Sequence, residues 1–172
     1  MEDVAMGAGR HRRISPGLIT SFKGAIVAKM TRFTHIQQSS STGCGIACLA
    51  MVGGISLEEA AVHLFGDTTP DTGRTLWGDM RKGLRAVGLE GIGNPTRVSA
   101  WHNIHGVALV AVSRTKENWH WIIYDAFDDL LYDPLRTGPI PAKTSRRKLV
   151  SYLLLRRSRY PIPRVPTSND KR

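Results

Sequence analysis

Hydrophobic positions along this chain change rhythm once. Between residues 44 and 88 they recur at helical spacing, and from 107 to 157 they gather into short runs of strand length. Cys44 to Val52 is apolar nearly all round, as a helix buried at the centre of a domain should be, and Gly53-Gly54 stop it. Ser56-Leu57-Glu58-Glu59 is a capping box that opens a second helix over about Leu57–Phe65. Gly66 to Arg74 reads as an exposed loop. Thr75 is then placed to cap a third helix, whose Leu76, Trp77, Met80, Leu84 and Val87 share one face until Gly88 ends it.

The second rhythm starts with a short strand over Leu89–Gly93, after which Asn94-Pro95 is expected to turn the chain. Thr96 to Gly106 is irregular, with room for a helical turn. Val107–Val112, Trp119–Tyr124 and Leu130–Asp133 are strands, the last two joined by a turn over residues 125–129. Residues 135–143 form a Pro/Gly loop, Thr144–Val150 a helical turn, and Ser151–Arg157 a last strand. Helices first and antiparallel strands second make an α+β layout. Upstream, Thr34 to Gln38 is an extended lead into the serine-rich loop before Cys44.

Composition adds limits to this picture. The 172 residues are one domain's worth of chain, and 41% hydrophobic content fits a globular protein. No apolar run is long enough to span a bilayer. Two cysteines four residues apart make no disulfide framework, and residues 1–30 hold no continuous apolar core or A-x-A site of a secretory signal, so a cytoplasmic location is expected. The net charge of +10 is uneven. Residues 1–30 carry five Lys or Arg against two acids, residues 143–172 ten against one, and residues 31–142 nine against eleven. The expected organisation is a peripheral extension over 1–30, a catalytic domain over 31–160, and a basic disordered tail over 161–172. The basic ends could attract an acidic protein, an anionic lipid or a nucleic acid, or serve only as solubilising tails.

The chemistry concentrates at Cys44. A thiol where a polar loop becomes a helix lies near unpaired backbone N–H groups and the positive helix end, which favour thiolate. Gly43 and Gly45 let a substrate backbone come close. Cys48, one turn further in, reads as core packing. His120 is the candidate base, and a turn centred near Phe127 sets it opposite Asp133 or Pro134. Asp133 is therefore the candidate that orients the ring, while Asp125, five residues from His120 on a strand, faces the other way. Asp128 and Asp129 are turn residues, and Trp119 and Trp121 point away from the His120 face. His35, His102 and His105 are weak zinc ligands beside a C-x3-C helix, so no metal and no cofactor is expected.

Cys, then His, then Asp is the order of papain-like cysteine hydrolases. Gln38, Cys44-Gly45, Ala47-Cys48-Leu49 and Met51, with His120 and Tyr132-Asp133-Pro134 downstream, resemble the C39 peptidases, papain-like enzymes best known as the leader-cleaving domains of bacteriocin exporters. The resemblance covers roughly residues 34–157, and Gly43 stands where the family usually has an acidic residue. It implies a papain-like fold, a peptide or protein substrate, and an oxyanion hole shared by the Cys44 N–H and the Gln38 amide, with Gln37 as the neighbouring alternative. Two further readings stay open. One is the same triad working as an amidase, deamidase or transglutaminase-type effector. The other is a basic binding module without catalysis, presenting Arg146-Arg147-Lys148 and Arg156-Arg157-Ser158-Arg159.

Overall fold

A computed structural model describes residues 31–68, 74–113 and 119–159, all within one unit that starts at Thr31. The expected extension over 1–30, the tail from 161 and most of the loop after Gly66 lie outside the described residues.

Among the described residues three α-helices come first: α1 (Cys44–Gly53), α2 (Leu57–Phe65) and α3 (Trp77–Ala86). Six strands follow, β1 (Leu89–Arg97), β2 (Val107–Ser113), β3 (Trp119–Asp125), β4 (Leu130–Tyr132), β5 (Ile140–Pro141) and β6 (Lys148–Arg157). They form one antiparallel sheet in the order β1-β6-β2-β3-β4-β5, so the protein is α+β.

The helices keep the bounds their punctuation predicts. Gly54 closes α1 in the left-handed conformation at φ 63°, which glycine adopts without strain. Ser56 and Glu59 form the capping box of α2, with Glu59 N–H donating to Ser56 Oγ at 3.1 Å and Ser56 N–H to Glu59 Oε2 at 3.0 Å. The cap of α3 differs from expectation. Asp79 Oδ2 accepts the Leu76 N–H at 2.8 Å, while Thr75 is buried, its carbonyl accepting from the Trp121 indole at 3.3 Å.

Three strand bounds also differ. β1 runs on through Asn94-Pro95, with only a register shift between Ile92 and Thr96 against β6. Pro95 is tolerated because β1 is an edge strand, where a missing N–H breaks no ladder on the open side. β6 starts at Lys148, and the helical turn expected over Thr144–Val150 is found instead at Ala142–Thr144. Ile140–Pro141, expected as loop, pairs with β4 as β5.

Both sheet faces are covered, which explains why β2 reads as an unbroken apolar run. On one face Leu109, Trp121, Ile123 and Leu153 pack with Leu49 and Met51 of α1. On the other Val110, Val112, Ile122 and Leu131 pack with Ile104 and Ala142. Among the described residues no single helix is long and apolar enough to cross a membrane.

The capping box generates a test. Ser56→Ala should lower the stability of the whole domain by about 1 kcal/mol, read as a shifted urea midpoint at unchanged slope. No shift would mean that the apolar face of α2 alone holds the helix.

Candidate active site

Cys44 opens α1, and no side chain caps that end. The first-turn N–H groups of a helix have no acceptor within the helix, so this end is a cluster of donors beside a thiol. Cys44 is partly exposed and Cys48 fully buried. Burial, followed by the charges of Cys44 and Asp133, pushes the Cys48 thiol well above its ordinary value. Between the two, the accessible sulfur is at the helix mouth.

Gly45 lets α1 sit where it does. A Cβ there would come within 2.1 Å of Thr75 Oγ1 and 3.1 Å of Met80 Sδ. The first turn of α1 therefore rests on the residue that receives the Trp121 indole N–H, tying the helix to β3.

His120 of β3 is buried, and its Nε2 meets Asp133 Oδ1 at 2.7 Å. The Cys44 side chain is near enough to act on the same ring and favour its protonated form. Burial pulls the imidazole down, but the hydrogen bond to Asp133, with the influence of Cys44 and the charge of Asp133, outweighs it and raises the ring above 6.5. At Asp133 burial pushes the carboxyl up, and the opposing contacts win: His120, the Leu135 N–H and the Arg147 guanidinium hold it down at about 2. Leu135 N–H donates to Oδ1 at 3.0 Å and Arg147 Nη2 to Oδ2 at 2.9 Å.

The pairing that joins His120 to Asp133 is not the expected one. β3 and β4 pair Ile123 with Tyr132 and Tyr124 with Leu131, a register whose extension sets Ile122 opposite Asp133. His120 and Asp133 are thus diagonal neighbours on one face, within reach of long side chains. Trp121 lies on the opposite, helix-covered face, in edge contact with Trp77 at 4.5 Å between centroids. Trp119 is 45% exposed, so of the two tryptophans only Trp121 is part of the packed core.

Gln38 stands beside this group. Its N–H donates to the Pro134 carbonyl at 3.0 Å, and its Cβ lies near Gly43. Its side-chain Nε2 donates to the Ser40 carbonyl at 2.6 Å, and its Oε1 is buried with no hydrogen-bond partner. One amide hydrogen is thus engaged in the loop before Cys44 and the other remains.

The weaker candidates lie elsewhere. Asp125 is fully buried against Arg32, whose Nε donates to Oδ2 at 2.8 Å, and it accepts the Phe127 N–H at 3.0 Å. Asp129 is in the turn, with φ 54°. His35 Nε2 meets the Arg136 carbonyl at 2.8 Å, and His102 lies in the short helical turn Trp101–Asn103. Among the described residues no three His, Cys, Asp or Glu side chains gather as a metal site. Arg147 and Thr75 are the contributors that the residue pattern concealed. Arg147 reads as one member of a basic run and Thr75 as a helix cap, and nothing local to either marks its partner.

Fold and site together define an α+β domain with a thiol at a helix mouth near a histidine–carboxylate pair. Among solved structures the chain is similar to a double-glycine-motif protease from an AMS/PCAT transporter, in complex with the leader peptide. The TM-score is 0.56 at 20% identity, covering 74% of this chain and 93% of that one. At this identity the likeness is one of fold. No family model matches the chain, and no curated protein matches it in sequence.

The ionised carboxylate carries a pH signature. With its pKa lowered from 3.8 to about 2, Asp133 contributes stability that is complete above pH 3.8 and lost as pH falls through about 2. His120, raised above 6.5, contributes below that pH and loses its contribution as pH rises through its folded value. Asp133→Asn should therefore be destabilised relative to wild type at pH 5, by a margin that narrows steadily on acidification through pH 2. Urea denaturation across that range reads the margin, and a constant margin would contradict the ionised assignment.

Proposed function

We propose that this protein is a cysteine peptidase of the C39-like, papain-like kind, working through Cys44, His120 and Asp133. The observation that carries the reading is the hydrogen bond of buried His120 to buried Asp133 beside a partly exposed thiol at the mouth of α1. The fold shared with a leader-bound protease supports a peptide substrate.

In the proposed reaction His120 takes the Cys44 proton, and the thiolate attacks the carbonyl carbon of the scissile bond. The oxygen becomes an oxyanion, held by the Cys44 backbone N–H and by the Gln38 amide hydrogen not engaged with Ser40. As the intermediate collapses, the C–N bond breaks and His120 gives its proton to the leaving amine. His120 then takes a proton from water, whose oxygen attacks the thioester, and the acid departs as the thiol is restored. Asp133 stays ionised throughout, stabilising the imidazolium and fixing which nitrogen faces Cys44.

A peptide-library digest tests this. Wild type should cut peptide bonds, Cys44→Ala should cut none, and Gln38→Ala should lose roughly a hundredfold in kcat with KM little changed. Release of ammonia from side-chain amides with no peptide cut would replace the peptidase reading with a deamidase. Cutting that survives Cys44→Ala would end the thiol mechanism.

A further inference from the structure

We propose that Arg147 is a positioning residue for the carboxylate of this site: its guanidinium grips Asp133 Oδ2 so that Oδ1 stays aimed at His120. The inference rests on the peptidase reading and adds a fourth member to it.

The geometry divides the two carboxylate oxygens. Oδ1 accepts from His120 at 2.7 Å and from the Leu135 N–H at 3.0 Å, while Oδ2 accepts from Arg147 at 2.9 Å. A carboxylate hinged at one oxygen can rotate about its last torsion, and a donor fixed on the second oxygen removes that freedom. Arg147 is itself held. Its N–H donates to Ser145 Oγ at 3.2 Å, and its side chain is only 25% exposed.

The sheet delivers Arg147 to the correct face by an irregularity. β2 pairs Ala111 with Ser151 but Val112 with Leu149, so Val150 is an extra residue in β6. A one-residue slip moves everything before it to the other face. Leu149 consequently packs with Val112 and Ile122, on the face that carries His120. Arg147, two residues earlier, is brought to the same side. Without the bulge a basic side chain at this position would be aimed at the helix layer.

Other groups also face Asp133. Cys48 of α1 and His120 of β3 both feel its charge. Arg136 and Arg146 line, with Asp133 and Arg147, a cavity of about 300 Å³ behind the carboxylate. Of the three arginines, Arg147 is the one bonded to it. That cavity is also a route by which a small planar cation could replace a deleted side chain.

The test compares wild type, Arg147→Ala and Arg147→Lys by the rate at which iodoacetamide alkylates Cys44 near pH 6, where thiolate depends on a stable imidazolium. Losing the grip should slow alkylation in Arg147→Ala by roughly tenfold, the equivalent of one unit in the stability of the imidazolium. Guanidinium ion at millimolar concentration should restore much of the rate, and Arg147→Lys should fall between the two. Carbon-13 titration of the Asp133 carboxyl should move up by roughly one unit or more in Arg147→Ala. An unchanged or faster alkylation rate would overturn the proposal, because charge removal alone leaves Asp133 a stronger partner for imidazolium. A slowed rate that guanidinium does not restore would overturn it too, leaving Arg147 a structural ion pair, whose loss moves the carboxyl titration as well. The carboxyl titration needs no thiol chemistry and no substrate. It therefore decides the Arg147 contact even if Cys44 of the wild type proves unreactive, the outcome that would end the peptidase reading instead.

Discussion

A buried carboxylate has to be surrounded by donors or it costs several kcal/mol, and Asp133 is where this protein meets that requirement. Its two oxygens collect His120 from β3, the Leu135 N–H from its own turn and Arg147 from the approach to β6. The next peptide carbonyl, at Pro134, accepts the Gln38 N–H. Four separate stretches of chain are thus fixed to one another by polar contacts at the end of a sheet whose faces are otherwise apolar. The need to satisfy one charge places the histidine and the arginine together, and the neighbouring peptide carbonyl holds the glutamine.

The thiol is brought to that place by a different constraint, which is steric. Gly45 leaves no room between α1 and Thr75, so the first turn of the helix is seated directly on the 74–76 segment. Thr75 in turn accepts indole N–H groups from Trp121 at 3.3 Å and Trp119 at 3.5 Å, the residues on either side of His120. One short strand therefore carries the candidate base on one face and, through its neighbours, supports the helix that carries the candidate nucleophile. Cys48 shares the helix but not the position: one turn deeper it is inside the apolar layer, where burial keeps its thiol protonated.

Much of this was legible in the residues, and the parts that were not share a cause. Helix bounds followed from local punctuation, because Gly54 and the Ser56–Glu59 box act within a turn of where they stand. The class of the fold followed from the change of period, and Asp133 could be named from its distance beyond the turn after His120. Features set by strand partners were hidden. The β3–β4 register, the continuation of β1 past Pro95 and the bulge at Val150 each depend on what lies alongside, not on the segment itself. Arg147 was hidden most completely, since its role requires both the bulge and a partner fourteen residues away.

Charge shows the same lesson in energetic form. Counted along the chain, positive charge collects at the ends and residues 31–142 are nearly balanced. In space the division does not hold. Arg156 Nε donates to Glu90 Oε1 at 2.7 Å and Arg147 Nη2 to Asp133 Oδ2 at 2.9 Å, so two cations of the basic C-terminal segment neutralise acids of the body. These two contacts differ in weight. Arg156 is 46% exposed and its pair, screened by water, is worth little, whereas Asp133 is buried and loses far more if its cation is removed. The run Arg146-Arg147-Lys148 is therefore not a uniform basic surface. Its middle member faces inward to the carboxylate, and whatever an acidic partner could gain from this segment has to come from its neighbours without drawing Arg147 off Asp133.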